Sequence, residues 1–318
     1  MRIHIVGLHA PNTPRLQALL GDDHQVEGLA GFPADGPPAD VVVTNAVDAT
    51  AAARLNCRLL QVPGAGTEQI AFAALPPECT VANVHGHEIP IAEFVTHAIL
   101  EHALEPWRLP AVLDETSWPA VYAGRPLHHE AHGRTVTLVG YGHIGREVAQ
   151  RARALGMHVV ALTRRGGLKE ADGVHESHPV RALFEVLPRT DVLVLCCPLD
   201  DATRGMIGRE ALAALPAHAM LVNVARAEVV DEAALHAALT EGRLARAVLD
   251  VWYQYPKPGE AALAPSRLGL HRLPNVRATP HVSAMTPGLL ARRYAVIAEN
   301  IQRLAAGKPL RYVVRPPH

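Results

Sequence analysis

Three glycines mark the stretch most able to do chemistry. Gly140, Gly142 and Gly145 read G-x-G-x-x-G directly after a β-branched apolar run, Thr135–Val139. A helix-patterned segment, Arg146–Leu155, and a second apolar run, His158–Leu162, follow. Strand, glycine turn, helix and strand in that order predict a dinucleotide-binding turn. Gly140 is expected to permit the tight turn, Gly142 to let the backbone approach a pyrophosphate, and Gly145 to let helix and strand pack closely. The helix N-terminus then offers unpaired N–H groups to the negative charge, and His143 and Ile144, within the glycine turn, are expected beside the cofactor. At the end of this unit a free ribose 2′-hydroxyl is normally met by Asp or Glu. The chain has Thr163, Arg164 and Arg165 instead, with no carboxylate before Glu170. Two guanidiniums and a hydroxyl suit a 2′-phosphate. The expected cofactor is NADP(H), with NAD(H) possible.

Two more residues stand just beyond apolar runs. Arg226 follows Met220–Asn223, and His281 follows Val276–Ala278. A guanidinium holds a carboxylate by paired hydrogen bonds and polarises the neighbouring carbonyl. A histidine exchanges the proton that accompanies hydride transfer. Strand ends of a doubly wound sheet face its cofactor, so both residues are expected there.

The elements that must position these groups can be read in order. Strands are expected at Arg2–Gly7, Val41–Thr44, Leu59–Val62 and Val81–Val84, with a helix at Pro11–Leu20 and a Pro/Gly/Asp-rich turn over residues 32–40. They make a small parallel α/β domain. A helix over Ile91–Leu104, stopped at Pro106, and a Pro-, Gly- and His-rich connector lead into the glycine turn. Beyond that turn, Val192–Cys196, Met220–Asn223, Ala247–Leu249 and Val276–Ala278 alternate with helical stretches such as Glu210–Ala214 and Asp231–Glu241. The fold class is α/β, with a Rossmann-type doubly wound sheet of about six strands. The final helix, Leu289–Ala306, is expected to return to the first domain. A dinucleotide domain over 89–288 is then inserted into a domain of 1–88 and 289–318, with the active site in the cleft between them.

Composition removes several function classes. The chain has 318 residues, 49% of them hydrophobic, and a formal net charge of −1, which suits a sizeable core and no nucleic-acid partner. There is no basic-plus-apolar leader, and no apolar stretch reaches the ~18 residues of a membrane span. Cys57, Cys79, Cys196 and Cys197 have no metal or redox spacing, and the 19 histidines are scattered. A cytoplasmic protein without a metal is expected.

Seven segments in one order carry a resemblance. They are V-P-G-A-G-T-E-Q-I from Val62, N-V-H-G-H-E-I-P-I-A-E-F from Asn83, V-G-Y-G-H-I-G from Val139 and C-P-L-D-D-A-T-R-G-M-I from Cys197. The others are L-V-N-V-A-R-A-E-V-V-D-E-A-A-L from Leu221, L-D-V-W from Leu249 and N-V-R-A-T-P-H from Asn275. The chain resembles the D-isomer-specific 2-hydroxyacid dehydrogenase family. The resemblance implies a homodimer whose Rossmann domain is inserted into a flavodoxin-like substrate domain. It implies that Arg226 binds a substrate carboxylate with backbone N–H groups at Ala65 and Gly66, and that His281 is the acid/base. Asp250 would bind the nicotinamide carboxamide, while Ala225, Pro198 and Thr203 would line the cofactor. Asn83 and Glu93 fall on segments flanking the family's cleft. The small anionic substrate would be a 2-oxo acid such as glyoxylate or hydroxypyruvate.

One departure matters. The family's catalytic Glu lies in D-V-x-x-x-E-P, and this chain reads D-V-W-Y-Q-Y-P, with Tyr255 at that position. Without a paired carboxylate His281 is expected to titrate near its reference value of about 6.5. Tyr255, Gln254, Glu260 or no residue replaces the Glu. Two alternatives follow: a dehydrogenase of another small anion (formate-, phosphite- or phosphonate-like), or a nucleotide-sensing protein whose chemistry is lost.

Overall fold

The computed structural model describes residues 1–32, 38–257 and 259–317. The chain divides into two compact units, Met1–His87 together with the stretch from Met285 onward, and Glu88–Ala284. The expected turn over residues 32–40 falls largely outside the described residues.

In the first unit, β1 (Arg2–Val6), β2 (Gln25–Leu29), β3 (Val41–Val43), β4 (Leu59–Gln61) and β5 (Thr80–Ala82) form a parallel sheet in the order β2-β1-β3-β4-β5. β3 and β4 are wholly buried, as parallel strands covered on both faces must be. Helices Thr13–Leu20 and Pro287–Ala305 pack together in this unit, and Ile3, Ile5, Leu16, Ile297 and Ile301 share its core.

The second unit holds β6 (Thr135–Val139), β7 (His158–Thr163), β8 (Glu176–Pro179), β9 (Val192–Leu195), β10 (Met220–Asn223), β11 (Arg246–Leu249) and β12 (Val276–Ala278). They lie all parallel in the order β12-β11-β10-β9-β6-β7-β8. The order reverses between β6 and β9, the switch point where doubly wound sheets bind ligands. Alternate residues of β6 enter opposite apolar layers, Val139 on one side and Val136 and Leu138 on the other. Thr137 is buried between them, and its hydroxyl is satisfied by Thr190 at 2.7 Å.

The sheet therefore has seven strands, not about six. The extra one, β8, is an edge strand reading E-S-H-P, with no apolar run to betray it. β2 in the first unit, Q-V-E-G-L, was missed for the same reason, and β13 (Val313–Arg315), which adds antiparallel to β5, was missed because it is only three residues long. An edge strand pairs on one side and tolerates polar side chains, so its pattern is weak. Among the described residues, no helix is long and apolar enough to cross a membrane.

Candidate active site

The glycine turn sits at the switch point, and two of its glycines are sterically required. Gly140 has φ +101°, and a Cβ there would lie 2.8 Å from the backbone of Cys196 and Cys197, just past β9. A Cβ at Gly145 would come within 2.5 Å of the Gly140 carbonyl oxygen. Gly142 differs: a Cβ there would meet open space. It is the N-cap of the helix His143–Ala154, with no capping side chain and no acidic residue in the first turn. The first N–H groups of that helix thus face room that suits an anion, and the turn fits a pyrophosphate. Ile144 packs against the sheet and sets the helix's approach, while His143 is exposed.

At the end of β7 the Thr163 hydroxyl accepts the Gly166 N–H at 2.8 Å, closing the turn that carries Arg164 and Arg165. Both arginines are exposed. Arg164 lies 3.6 Å from Asp200, a loose and solvated pair of little strength. Asp200 accepts the Ala202 and Thr203 N–H groups, and the Thr203 hydroxyl donates to the Pro198 carbonyl at 2.8 Å, which makes residues 198–203 a rigid turn. Glu260, the distant candidate for the missing carboxylate, accepts the Lys257 N–H within its own loop. Gln254 bonds through its backbone N–H to Pro265.

Arg226 is positioned by a residue the sequence reading passed over. Asn223, the buried last residue of β10, donates to the Arg226 carbonyl at 2.9 Å and accepts the Ala225 N–H at 3.0 Å. An amide with a donor and an acceptor spans a turn in this way, and its place at a strand end was the available signal. The Arg226 guanidinium also donates to the Ala225 carbonyl at 2.7 Å.

His281 is held by Asp250. The aspartate is buried, and its Oδ1 accepts the Thr279 hydroxyl at 2.6 Å and the Val282 N–H at 2.8 Å, while Oδ2 accepts the Ser283 N–H at 3.0 Å. These bonds, with the Trp252 indole donating to the Thr279 carbonyl at 2.8 Å, keep His281 at φ +58°. That left-handed backbone costs a residue with a Cβ roughly 1–2 kcal/mol. The aspartate's visible work is thus to shape the loop of the histidine.

Tyr255 meets the histidine. Its hydroxyl is 2.8 Å from His281 Nδ1 and accepts the Trp252 N–H at 3.2 Å. A phenol occupies the place where the resemblance puts a carboxylate. Burial moves the His281 pKa below its ordinary value; Asp250 opposes the shift and Arg226 adds to it. The expected value near 6.5 is therefore corrected downward, because desolvation penalises the cation and the group at Nδ1 is a phenol instead of a carboxylate. Burial likewise raises the Tyr255 pKa, against the Trp252 N–H and Arg226. The phenol stays neutral and cannot stabilise an imidazolium as a carboxylate does.

In the first unit, Ala65 and Gly66 follow β4, and Asn83 donates to the Ala65 carbonyl at 3.0 Å. Asn83 thus shapes the loop whose N–H groups the resemblance assigns to substrate. Glu93 is exposed on the helix Glu88–Leu104.

Residues 99–283 match the model of the D-isomer specific 2-hydroxyacid dehydrogenase NAD binding domain. The chain belongs to the D-isomer specific 2-hydroxyacid dehydrogenase family. A glycerate dehydrogenase of Methylorubrum extorquens is 31% identical over 258 residues, 79% of this chain and 77% of that protein. A glyoxylate reductase of Thermococcus kodakarensis is 35% identical over 175 residues, 55% of this chain and 50% of its own length. The match thus spans about half the length, or less, of several curated relatives. The NADPH-dependent glyoxylate/hydroxypyruvate reductase of Sinorhizobium meliloti, solved with NADP and sulfate, superposes with a TM-score of 0.77 at 25% identity, covering 99% of this chain and 98% of that one. In this dehydrogenase family member the glycine turn is intact, and His281 has a tyrosine for its partner.

Proposed function

We propose that this dehydrogenase reduces small 2-oxo acids of the glyoxylate or hydroxypyruvate type with NADPH, as a cytoplasmic homodimer. One observation carries the reading: Arg226 and His281 stand beyond β10 and β12 of the sheet whose β6 ends in the glycine turn, close enough for the arginine's charge to act on the imidazole. When bound, the cofactor supplies a hydride to the keto carbon. Arg226 binds the carboxylate and polarises the carbonyl, helped by the Ala65 and Gly66 N–H groups. His281, protonated, gives its Nε2 proton to the carbonyl oxygen while its Nδ1–H stays on the Tyr255 oxygen, which orients the ring. No metal is needed for these steps.

Oxidation of NADPH and NADH by glyoxylate, hydroxypyruvate, pyruvate and phosphonopyruvate tests the reading. Turnover with NADPH supports it; tight cofactor binding with no turnover on any of them points to another anion or to a sensor. Against the sensor stand Arg226 and His281, both retained and pre-positioned. Because reduction uses the imidazolium, whose pKa is lowered, the rate is expected to fall as pH rises through a value below the ordinary 6.5. Tyr255→Glu places a carboxylate near Nδ1, which raises the His281 pKa because an opposite charge favours the imidazolium, and carries the same limb to higher pH. A pH profile of kcat/KM reads this directly, and an unmoved limb would reject the tyrosine's place beside the histidine.

Cofactor preference has its own check. Arg164→Asp combined with Arg165→Ala is expected to weaken NADPH at least tenfold more than NADH, about the worth of a charge-assisted hydrogen bond. Equal weakening would remove the 2′-phosphate assignment. For the homodimer, Trp107, Leu109, Val112, Leu113 and Trp118 are all exposed apolar side chains on one segment of the second unit. Such a run suits burial against a second copy, and sedimentation measures it.

A further inference from the structure

Two cysteines of the first unit lie 22 positions apart in sequence and touch in the fold. Cys57 stands just before β4 and Cys79 just before β5, and their sulfurs are 3.6 Å apart. They form no redox motif along the chain; the parallel pairing of β4 with β5 brings them together. Leu59 is the register partner of Thr80, so the cysteines precede neighbouring strand starts. Adjacent strands run about 4.8 Å apart, and a disulfide spans roughly 4–7 Å between Cα atoms. Both side chains are buried. Bringing the sulfurs from contact to a bond of ~2.05 Å needs an approach of about 1.5 Å, within reach of side-chain rotation.

Two features separate this pair from inert core packing. A cavity of about 590 Å³ is lined by Cys57 together with Val42, Arg54 and Leu55, which gives a molecule as small as a peroxide a way to that sulfur. Cys79 is held below the ordinary thiol value, chiefly because it accepts the Cys57 S–H; burial opposes this, and the Leu60 N–H and the Arg315 guanidinium add to it. Arg315 lies on β13, where it pairs with Val81, two residues past Cys79. Its Nη2 donates to the Leu75 carbonyl at 3.4 Å, and among the described residues its Nη1 is buried without a partner. A guanidinium beside a thiol favours the thiolate, the reactive form. Cys196 and Cys197 in the second unit differ. Burial pushes both of those thiols up, Cys197 to about 11, and Cys196 donates to the Gly140 carbonyl at 3.1 Å.

We propose that Cys57 and Cys79 are a peroxide-sensitive thiol pair, which oxidises to an intramolecular disulfide that staples the start of β4 to the start of β5. The thiolate of the pair attacks one peroxide oxygen and the O–O bond breaks; the departing hydroxide takes up a proton and leaves as water. The sulfenic acid so formed is attacked by the second sulfur, which gives up its proton as the S–S bond forms, the S–O bond breaks and a second water leaves. The two sulfurs together lose two electrons, and the peroxide is reduced to two waters. In reducing surroundings both residues stay thiols, and such a bond is a transient, redox-sensing one. The ring it closes carries β4 and the loop through Ala65 and Gly66, and it lies wholly within the first unit.

The test treats the wild-type protein with hydrogen peroxide, unfolds and alkylates it without reductant, and weighs its peptides. The expected product is a peptide linked through Cys57 and Cys79, two hydrogens lighter than the separate pair, with Cys196 and Cys197 still alkylated. Alkylation of both Cys57 and Cys79, or their separate oxidation to sulfinic acids with no link, would overturn the proposal. This readout needs no variant, so it stands whatever a substitution does to folding. Thermal unfolding supplies the second readout. The Tm is expected to rise by about 5–10 °C on oxidation and to fall back with dithiothreitol, since the bond restricts the unfolded chain. An unchanged Tm in the linked protein would overturn the staple. Cys79→Ala is expected to lose both the linked peptide and the rise, and a rise that survives in it would count equally against the pair.

Discussion

Replacing His281 by asparagine is expected to lower kcat by about 10²–10⁴-fold, the usual worth of a positioned acid/base. Cofactor affinity should stay within about twofold, because the substitution leaves the glycine turn untouched. Asparagine is the informative choice for two reasons. It tolerates the left-handed backbone that His281 adopts at φ +58°, so the Thr279–Ser283 loop keeps its bonds to Asp250. Its amide can also still bond to the Tyr255 hydroxyl, which otherwise meets Nδ1 at 2.8 Å. What it cannot do is exchange a proton. Steady-state turnover beside cofactor binding by nucleotide fluorescence separates the cases. Retained turnover would move the acid/base role to another group, and a joint loss of turnover and affinity would mean a folding defect.

The second large effect is expected at Arg226. Arg226→Gln removes the cation that would pair with the substrate carboxylate, and breaking such a pair costs roughly 2–5 kcal/mol. That corresponds to a fall of about 30- to 5,000-fold in kcat/KM. Arg226→Lys keeps the charge without the paired planar donors and should fall between. A change in the pH profile marks the effect as electrostatic. Arg226 helps to hold the His281 pKa down, so removing its charge should move the limb for reduction to higher pH. A loss of rate with an unmoved limb would separate the two residues and contradict their shared site. Because Asn223 holds the Arg226 turn through backbone atoms, neither substitution removes the bonds that shape it.

Much of this molecule is local, and local features were legible. Three glycines between a β-branched run and a helical pattern define the nucleotide turn: Gly140 and Gly145 answer steric demands of neighbouring backbone, and Gly142 leaves open space at the helix N-terminus. Strands β6, β10 and β12 begin and end where their apolar runs do. The family itself was readable from motif order. The positions of Arg226 and His281 just past strand ends follow from the same runs, because a parallel sheet places all its strand ends on one edge.

Other features depended on strand order, which no short pattern encodes. The partner of His281 stands 26 residues away, and three residues near the missing carboxylate were candidates from sequence; only the closed loop brings the Tyr255 hydroxyl to Nδ1. Asp250 serves a loop about thirty residues downstream because β11 and β12 are neighbours. The edge strands β2 and β8 are largely polar and β13 has only three residues, so none carried a strand pattern, since half of an edge strand's pairing positions face outward. Sequence determined which chemical groups exist and which turns they sit on. The tertiary structure decided which groups meet, because burial and hydrogen bonding act between atoms near in space, however far apart along the chain.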